Sequence, residues 1–133
     1  VIVCDIDRFK QINDAFGHGT GDLVLEEFTR RCRSVIGRDD LFARVGGEEF
    51  AVLLRYDDAK TVVEMAERIR RTIYATPFEV GGVALAVTVS LGVAMRLSSE
   101  HAVDLTISRA DRALYEAKNT GRNRVAIAAA QME

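Results

Sequence analysis

The chain has 133 residues, 48% of them hydrophobic and 29% charged, with a formal net charge of −2. That suffices for one domain with a real core, taken here as residues 1–133, and the absence of any basic block argues against a nucleic-acid partner. No apolar run reaches the length of a membrane span and no secretory signal is visible, so no membrane contact is expected. Cys4 and Cys32 fall within apolar patterns and lack metal-ligand spacing, which reads as buried free thiols in a reducing compartment, the cytoplasm by default. The abrupt apolar opening Val1-Ile2-Val3 reads as a fragment of a longer protein.

Taken in order, Val1–Ile6 is apolar except for Asp5, the pattern of a central strand covered on both faces. Asp7 is placed to cap a short helix with Phe9, Ile12 and Phe16 on one face, ended by Gly17. The run Gly17-His18-Gly19-Thr20-Gly21 reads as a glycine-rich turn leading to Asp22 and a second helix. That helix turns Leu25, Phe28, Cys32 and Val35 inward and is closed by Gly37. A hairpin follows, with arms Leu41–Val45 and Phe50–Leu54. Asp57-Asp58 opens a third helix with the stripe Val62, Ala66, Ile69 and Ile73, stopping before Pro77. Gly81-Gly82 separates Phe78–Val80 from a long strand-like run, Val83–Met95. A fourth helix buries Ile107, Ala110, Leu114 and Ala117 and ends near Gly121. Val125–Ala128 reads as a closing strand and Ala129–Glu133 as a frayed end or the start of a linker. Strand, two helices, hairpin, helix, strand, helix, strand is the order of an α+β sandwich of the split βαβ, ferredoxin-like kind, with helices packed on a mostly antiparallel sheet.

The hairpin tip Gly46-Gly47-Glu48-Glu49 is the stretch with chemistry in it. Glycines accept the backbone angles of a tight turn and keep the tip thin. Taken alone, the tip is a solvated acidic turn. In this topology, however, the first strand and the first hairpin arm run the same way, which brings Asp5 beside Glu48 and Glu49. A carboxylate at the end of an apolar strand is costly to leave unpaired. Arg44 offers a structural ion pair. A divalent cation offers another remedy, and oxygen-only ligands favour Mg²⁺ or Ca²⁺.

Four blocks carry a resemblance. They are Asp5-Ile6-Asp7-Arg8-Phe9-Lys10-Gln11-Ile12-Asn13-Asp14, then Phe16-Gly17-His18 with Gly21-Asp22, then Arg44-Val45-Gly46-Gly47-Glu48-Glu49-Phe50, and finally Ala113-Leu114-Tyr115-Glu116-Ala117-Lys118 with Gly121-Arg122-Asn123. In this order and spacing they resemble the GGDEF family of diguanylate cyclases over almost the whole chain, and imply its palm-type nucleotide cyclase fold. The resemblance implies condensation of two GTP molecules into cyclic di-GMP with release of pyrophosphate, in a homodimer holding one GTP per protomer. By matching position, Asp5, the Ile6 carbonyl and Glu48 correspond to ligands of Mg²⁺ or Mn²⁺, and Glu48 or Glu49 to the acceptor of the attacking 3′-hydroxyl proton. Asn13 and Asp22 match the guanine readers, and Lys118 and Arg122 the phosphate-contacting cations. Gly46 and Gly47 match positions where the backbone approaches the nucleotide, and Phe9 a position near the phosphates. Each has a plainer reading: a helix cap for Asp22, a mediocre helix former for Asn13, helix-end dipole compensation for Lys118 and Arg122, a core aromatic for Phe9. His18 reads as a turn residue making a structural hydrogen bond.

Two departures stand out. An Arg-x-x-Asp product-inhibition site precedes the hairpin in many relatives. Here Asp40 holds the aspartate position but Gly37 stands where the arginine would be, so that site is expected to be absent or weak. The family's helix and turn before the first strand, and its usual sensory domain, are missing from this chain, so the isolated piece is expected to dimerise and turn over poorly. The competing readings are a catalytically silent GTP-binding regulatory domain and a pure dimerisation module.

Overall fold

The structure, a computed structural model, describes residues 1–56 and 58–129. Strand β1 (Ile2–Ile6) lies at the centre of a five-stranded sheet, flanked by β3 (Glu49–Leu53) and β6 (Val89–Val93), with β2 (Leu41–Arg44) outside β3 and β7 (Val125–Ile127) outside β6. All neighbouring pairs are antiparallel except β6 and β7, which are parallel. Every residue of β1 and β6 is buried, as expected of strands covered on both faces.

Alternation along β1 creates two cores. Ile2, Cys4 and Ile6 join Phe50 and Val52 on the face covered by α1 (Phe9–Phe16), α2 (His18–Arg33) and α3 (Ala59–Tyr74). Val3 and Ala51 point the other way, against Ala110 and Leu114 of α4 (Val103–Asn119). The stripe expected for α3 is in place, with Val62, Ala66, Ile69 and Ile73 fully buried. Asp58 caps that helix by accepting from the Lys60 N–H at 3.1 Å and the Thr61 hydroxyl at 2.8 Å. Asp57 and residues 130–133, part of the expected frayed end, lie outside the described residues. Both cysteines are free and buried, and burial pushes the Cys32 thiol up to about 12. No described helix is long and apolar enough to cross a membrane.

Two expectations are corrected. His18–Gly21 is the first turn of α2, and only Gly17, at φ 89°, forms the link between α1 and α2. Packing overrides the poor helix propensity of glycine here: a methyl on Gly21 would overlap the Asn13 side chain, so the two helices approach as closely as they do because Gly21 has none. His18 is accordingly a helix residue. The run Val83–Met95 is likewise two strands in different sheets. β5 (Val83–Leu85) pairs with β4 (Phe78–Val80) across Gly81-Gly82, both at positive φ as a two-residue hairpin turn requires. The chain then leaves that ribbon at residues 86–88 to enter the main sheet as β6. Alternation looks the same on either side of such a switch, so periodicity cannot locate it.

Arg31 of α2 closes the end of α3. It is buried, donates to the carbonyls of Ile73 (3.1 Å), Thr76 (2.8 Å) and Pro77 (3.0 Å), and stacks 4.1 Å above the Phe78 ring. On the opposite face, β6 meets α4 at Gly92, where a methyl would overlap the Ala110 carbonyl and the Leu114 amide. Neither backbone group can move without shifting its whole element. Gly92→Ala is therefore expected to cost about 3 kcal/mol of unfolding free energy, at the upper end for overpacking. Urea titration measures it, and a loss below about 0.5 kcal/mol contradicts this packing.

Candidate functional site

β1 and β3 pair with Asp5 opposite Glu49, and directly opposed residues of an antiparallel pair share a face. The row that begins with Val3 and Ala51 against α4 thus ends in two carboxylates. Glu48 sits at the adjoining hairpin tip, its carbonyl accepting from the Ile6 N–H at 3.3 Å. The expected meeting of Asp5 with the tip is observed. Arg44 does not pair with Asp5. Its Nε donates to the Gly46 and Gly47 carbonyls at 3.1 and 2.9 Å and props the tip.

Lys118, in the last turn of α4, is the cation Asp5 has, with Nζ donating to Oδ2 at 2.6 Å. Burial raises the Asp5 pKa, the Lys118 hydrogen bond and charge pull it back, and Glu48 and Asp7 push it up again. Glu49 is lifted to about 7, chiefly by its hydrogen bond with Asp111 of α4, then by burial and by the charges of Asp111 and Asp5. Asp111 escaped the sequence reading. It lies seven residues before Lys118 and beside the buried stripe, so helical spacing places both on the face that looks at the strand ends.

Two adjoining cavities open from this edge. One, of about 130 Å³, is lined by residues that include Asp5, Ile6, Glu48, Lys118 and Arg122. The other, of about 380 Å³, is lined by residues that include Asn13, His18, Asp22 and Gly47. Phe9, Lys10 and Glu48 belong to both walls, and Phe9 is also a core residue. A wider groove of about 520 Å³ continues past Asp22 and Arg44 between α2 and the hairpin. Gly46 and Glu49 line neither cavity.

The glycines of the tip serve differently from the expectation. Neither Gly46 nor Gly47 is among the residues at positive φ. A side chain on Gly47 would meet nothing within 4 Å and would instead project into open space beside the cavity. No left-handed backbone angle therefore requires glycine at either position of the tip.

Asn13 lines the larger cavity, and its Oδ1, packed against Gly21, is buried with no hydrogen-bond partner. An orphaned acceptor of this kind awaits a donor. Asp22 is exposed, four residues inside α2, and caps nothing; the cap position belongs to Gly17. In the smaller cavity α1 begins without a side-chain cap, because Asp7 is engaged elsewhere and the cap position falls on Arg8 at φ 57°. Phe9, Lys10 and Gln11, the first turn of α1, line that cavity, and uncapped first-turn amides favour anions.

Among the described residues no group of three or more His, Cys, Asp or Glu side chains is arranged to hold a metal ion. The converging third carboxylate, Glu49, is turned toward Asp111. Asp5, Glu48 and the Ile6 carbonyl remain as an oxygen-only set on one cavity wall. Two carboxylates and a carbonyl fit Mg²⁺, which is held by one or two carboxylates and completed by water and substrate phosphates. Mn²⁺ has the same ligand preferences.

Comparison with known proteins shows the family and the fold. The family described as "Diguanylate cyclase, GGDEF domain" matches residues 1–124. The chain is 41% identical to diguanylate cyclase A of Treponema denticola over 96% of its own length and 34% of that protein's. The chain thus spans about a third of that relative. It is similar to the GGDEF domain of DgcB from Caulobacter crescentus solved with c-di-GMP, at a TM-score of 0.90 and 38% identity over 96% of this chain and 75% of that one. It is similar also to the active GGEEF domain of a diguanylate cyclase from Vibrio cholerae, at a TM-score of 0.87 and 38% identity over 98% of this chain and 82% of that one.

The Glu49–Asp111 contact has a measurable consequence. A carboxyl raised from 4.5 to about 7 stabilises the fold while protonated, fully below about pH 4.5, and loses that contribution as pH climbs through 7. Without divalent cations, the melting temperature should fall between pH 5 and pH 8, and Asp111→Asn should reduce the fall. Equal pH dependence in the two proteins contradicts the contact.

Proposed function

The chain belongs to the GGDEF diguanylate cyclase family, and on that premise we propose that it binds one GTP per protomer and, as a homodimer, condenses two into cyclic di-GMP. The observation that carries the reading is a pair of cavities joined at Phe9, Lys10 and Glu48, one lined by Asn13 and Asp22 and the other by carboxylates and cations. Guanine fits the first. Its N1–H and 2-amino group form a donor edge for the Asp22 carboxylate and the Asn13 oxygen, and adenine has no such pair. The triphosphate fits the second, beside the uncapped start of α1, with Lys118 and Arg122 as cations at the end of α4, where the helix dipole alone would repel it.

Mg²⁺ or Mn²⁺, held by Asp5, the Ile6 carbonyl and Glu48, would supply charge neutralisation at the phosphates and a Lewis acid for in-line displacement at the α-phosphorus. With a cation on Asp5, Lys118, whose Nζ donates to Asp5 Oδ2 at 2.6 Å, would be free to turn to the phosphates. Glu48 and Glu49 are the candidates to accept the 3′-hydroxyl proton. The two half-sites must meet, so a tether in the longer protein, through a sensory or regulatory domain, sets the effective concentration of the second protomer. The cytoplasm, where GTP is available, is the proposed location.

With the chain fused to a dimerising helix, GTP and Mg²⁺ should yield cyclic di-GMP, and Glu49→Ala should lower the rate roughly 10²–10⁴-fold, the range for losing a general base. Tight GTP binding with no product from the unmutated fusion would instead mark a silent regulatory domain.

Product inhibition at the position upstream of the hairpin is proposed to be lost. Asp40 folds back locally, its Oδ2 accepting from the Gly37 N–H at 3.2 Å, and no arginine stands at position 37 to complete an anion site. Calorimetry should detect no tight cyclic di-GMP binding that depends on Asp40. Affinity that disappears in Asp40→Ala contradicts this.

A further inference from the structure

Asp7 is a buried carboxylate on the rim of the smaller cavity, 6% exposed, and the proposed reaction assigns it nothing. Its place is awkward for an anion-binding site, since its charge also pushes up the pKa of Asp5. Its partners explain why it is there. Oδ1 accepts from the Ser90 hydroxyl at 2.6 Å, while Oδ2 accepts from the Thr88 hydroxyl at 2.7 Å and from the Asn123 backbone N–H at 3.0 Å. All three donors are neutral. One side chain thereby joins the end of β1, the start of β6 and the loop between α4 and β7.

That loop carries Arg122, and its backbone is under constraint. Arg122 and Asn123 both stand at positive φ, 63° and 45°, a region that asparagine tolerates but that is disfavoured for arginine. Such angles persist only where the surroundings hold them. Other holds on the loop include the Arg122 N–H on the Ala117 carbonyl at 2.9 Å, Arg70 on the Asn123 Oδ1 at 3.2 Å, Arg124 on the Arg122 carbonyl at 3.1 Å, and the Leu91 N–H of β6 on the Arg124 carbonyl at 2.9 Å. These bind the loop to α4, to α3, to itself and, beyond the turn at Arg124, to β6. Asp7 supplies the link to the strand whose end forms the cavity wall.

We propose that Asp7 is a positioning residue: by accepting the Asn123 N–H it holds the left-handed Arg122–Asn123 turn against the end of β1, and so aims the Arg122 guanidinium at the triphosphate of a nucleotide seated in the joined cavities. This rests on the nucleotide reading above and adds the residue that orders its phosphate end. Without the tie, the turn relaxes toward negative φ and Arg122 leaves the cavity, while the base pocket around Asn13 and Asp22, on α1 and α2, is untouched. Asparagine keeps an acceptor oxygen for the Asn123 N–H and removes the charge, which separates tethering from any role as a cation ligand.

Chemical-shift titration of the whole chain in Mg²⁺ buffer tests this, using guanosine and the non-cleavable α,β-methylene analogue of GTP. Asp7→Ala should weaken the triphosphate analogue about tenfold or more and guanosine less than twofold. Asp7→Asn should bind the analogue within about threefold of the unmutated chain. In an Arg122→Ala background, Asp7→Ala should add less than a twofold loss, because its effect passes through Arg122. Equal losses for both ligands, a full Asp7→Ala effect without Arg122, or Asp7→Asn as damaging as Asp7→Ala would each overturn the proposal. Should Asp7→Ala not fold, amide exchange of the unmutated chain decides. The Asn123 amide is expected to be protected, and exchange as fast as in a free loop overturns the tie. Failure of the unmutated chain to bind the analogue would refute the nucleotide reading and this inference together, whereas binding indifferent to Asp7→Ala sinks this inference alone.

Discussion

Like charges concentrated at one end of a buried strand pair are the constraint from which the rest of this structure follows. The register that sets Asp5 opposite Glu49 continues a row of small apolar contacts, Val3 and Ala51 against α4, into two carboxylates on the same face. Burial and mutual repulsion make that end of the sheet unstable by itself. The surroundings answer with an ammonium from Lys118 on Asp5 and a shared hydrogen bond between Glu49 and Asp111, both from α4. Gly92 lets α4 press close enough to the sheet to deliver those side chains. The proposed exchange, a divalent cation and phosphates in place of Lys118, is therefore a replacement of one counter-charge by another at a position that requires one.

The helical face solves a different problem, that of making a hole with a polar floor. Gly17 turns the chain in a single residue, and Gly21 lets α2 close onto α1 at Asn13. That contact buries the Asn13 oxygen without satisfying it. A buried acceptor left open is unfavourable in the empty protein and becomes useful when a donor edge arrives. In the proposed reading, discrimination between bases would come from a deficit held in place by packing. Glu48, on the wall of both cavities, is where the two solutions meet.

Asp7 shows how the same short segment is divided among tasks. Asp5 faces α4 and the cavity. Asp7 turns to Thr88, Ser90 and Asn123, which leaves the first turn of α1 uncapped where an anion is expected. A sequence reading assigns such a residue to the nearest helix start, because capping is the commonest local use of an aspartate two residues ahead of a helix. The partners that outcompete the local amides come from 81, 83 and 116 residues away.

Periodicity and punctuation alone determined the helices, the central strand, the hairpin and the meeting of Asp5 with its tip, because burial on one or two faces forces apolar spacing and strand direction follows from element order. The four motif blocks determined the family, and several of the residues singled out by them, Asp5, Asn13, Asp22, Glu48, Lys118 and Arg122, line the two cavities, whereas Gly46 and Glu49 do not. Only the tertiary structure decided the rest. It split the run Val83–Met95 between two sheets, made His18–Gly21 a helix, turned Glu49 toward Asp111, gave Lys118 rather than Arg44 to Asp5, and recruited Asp7 to a distant loop. Each of these depends on which side chain or backbone group arrives from far along the chain to compete for the same partner, and local sequence carries no record of that competition.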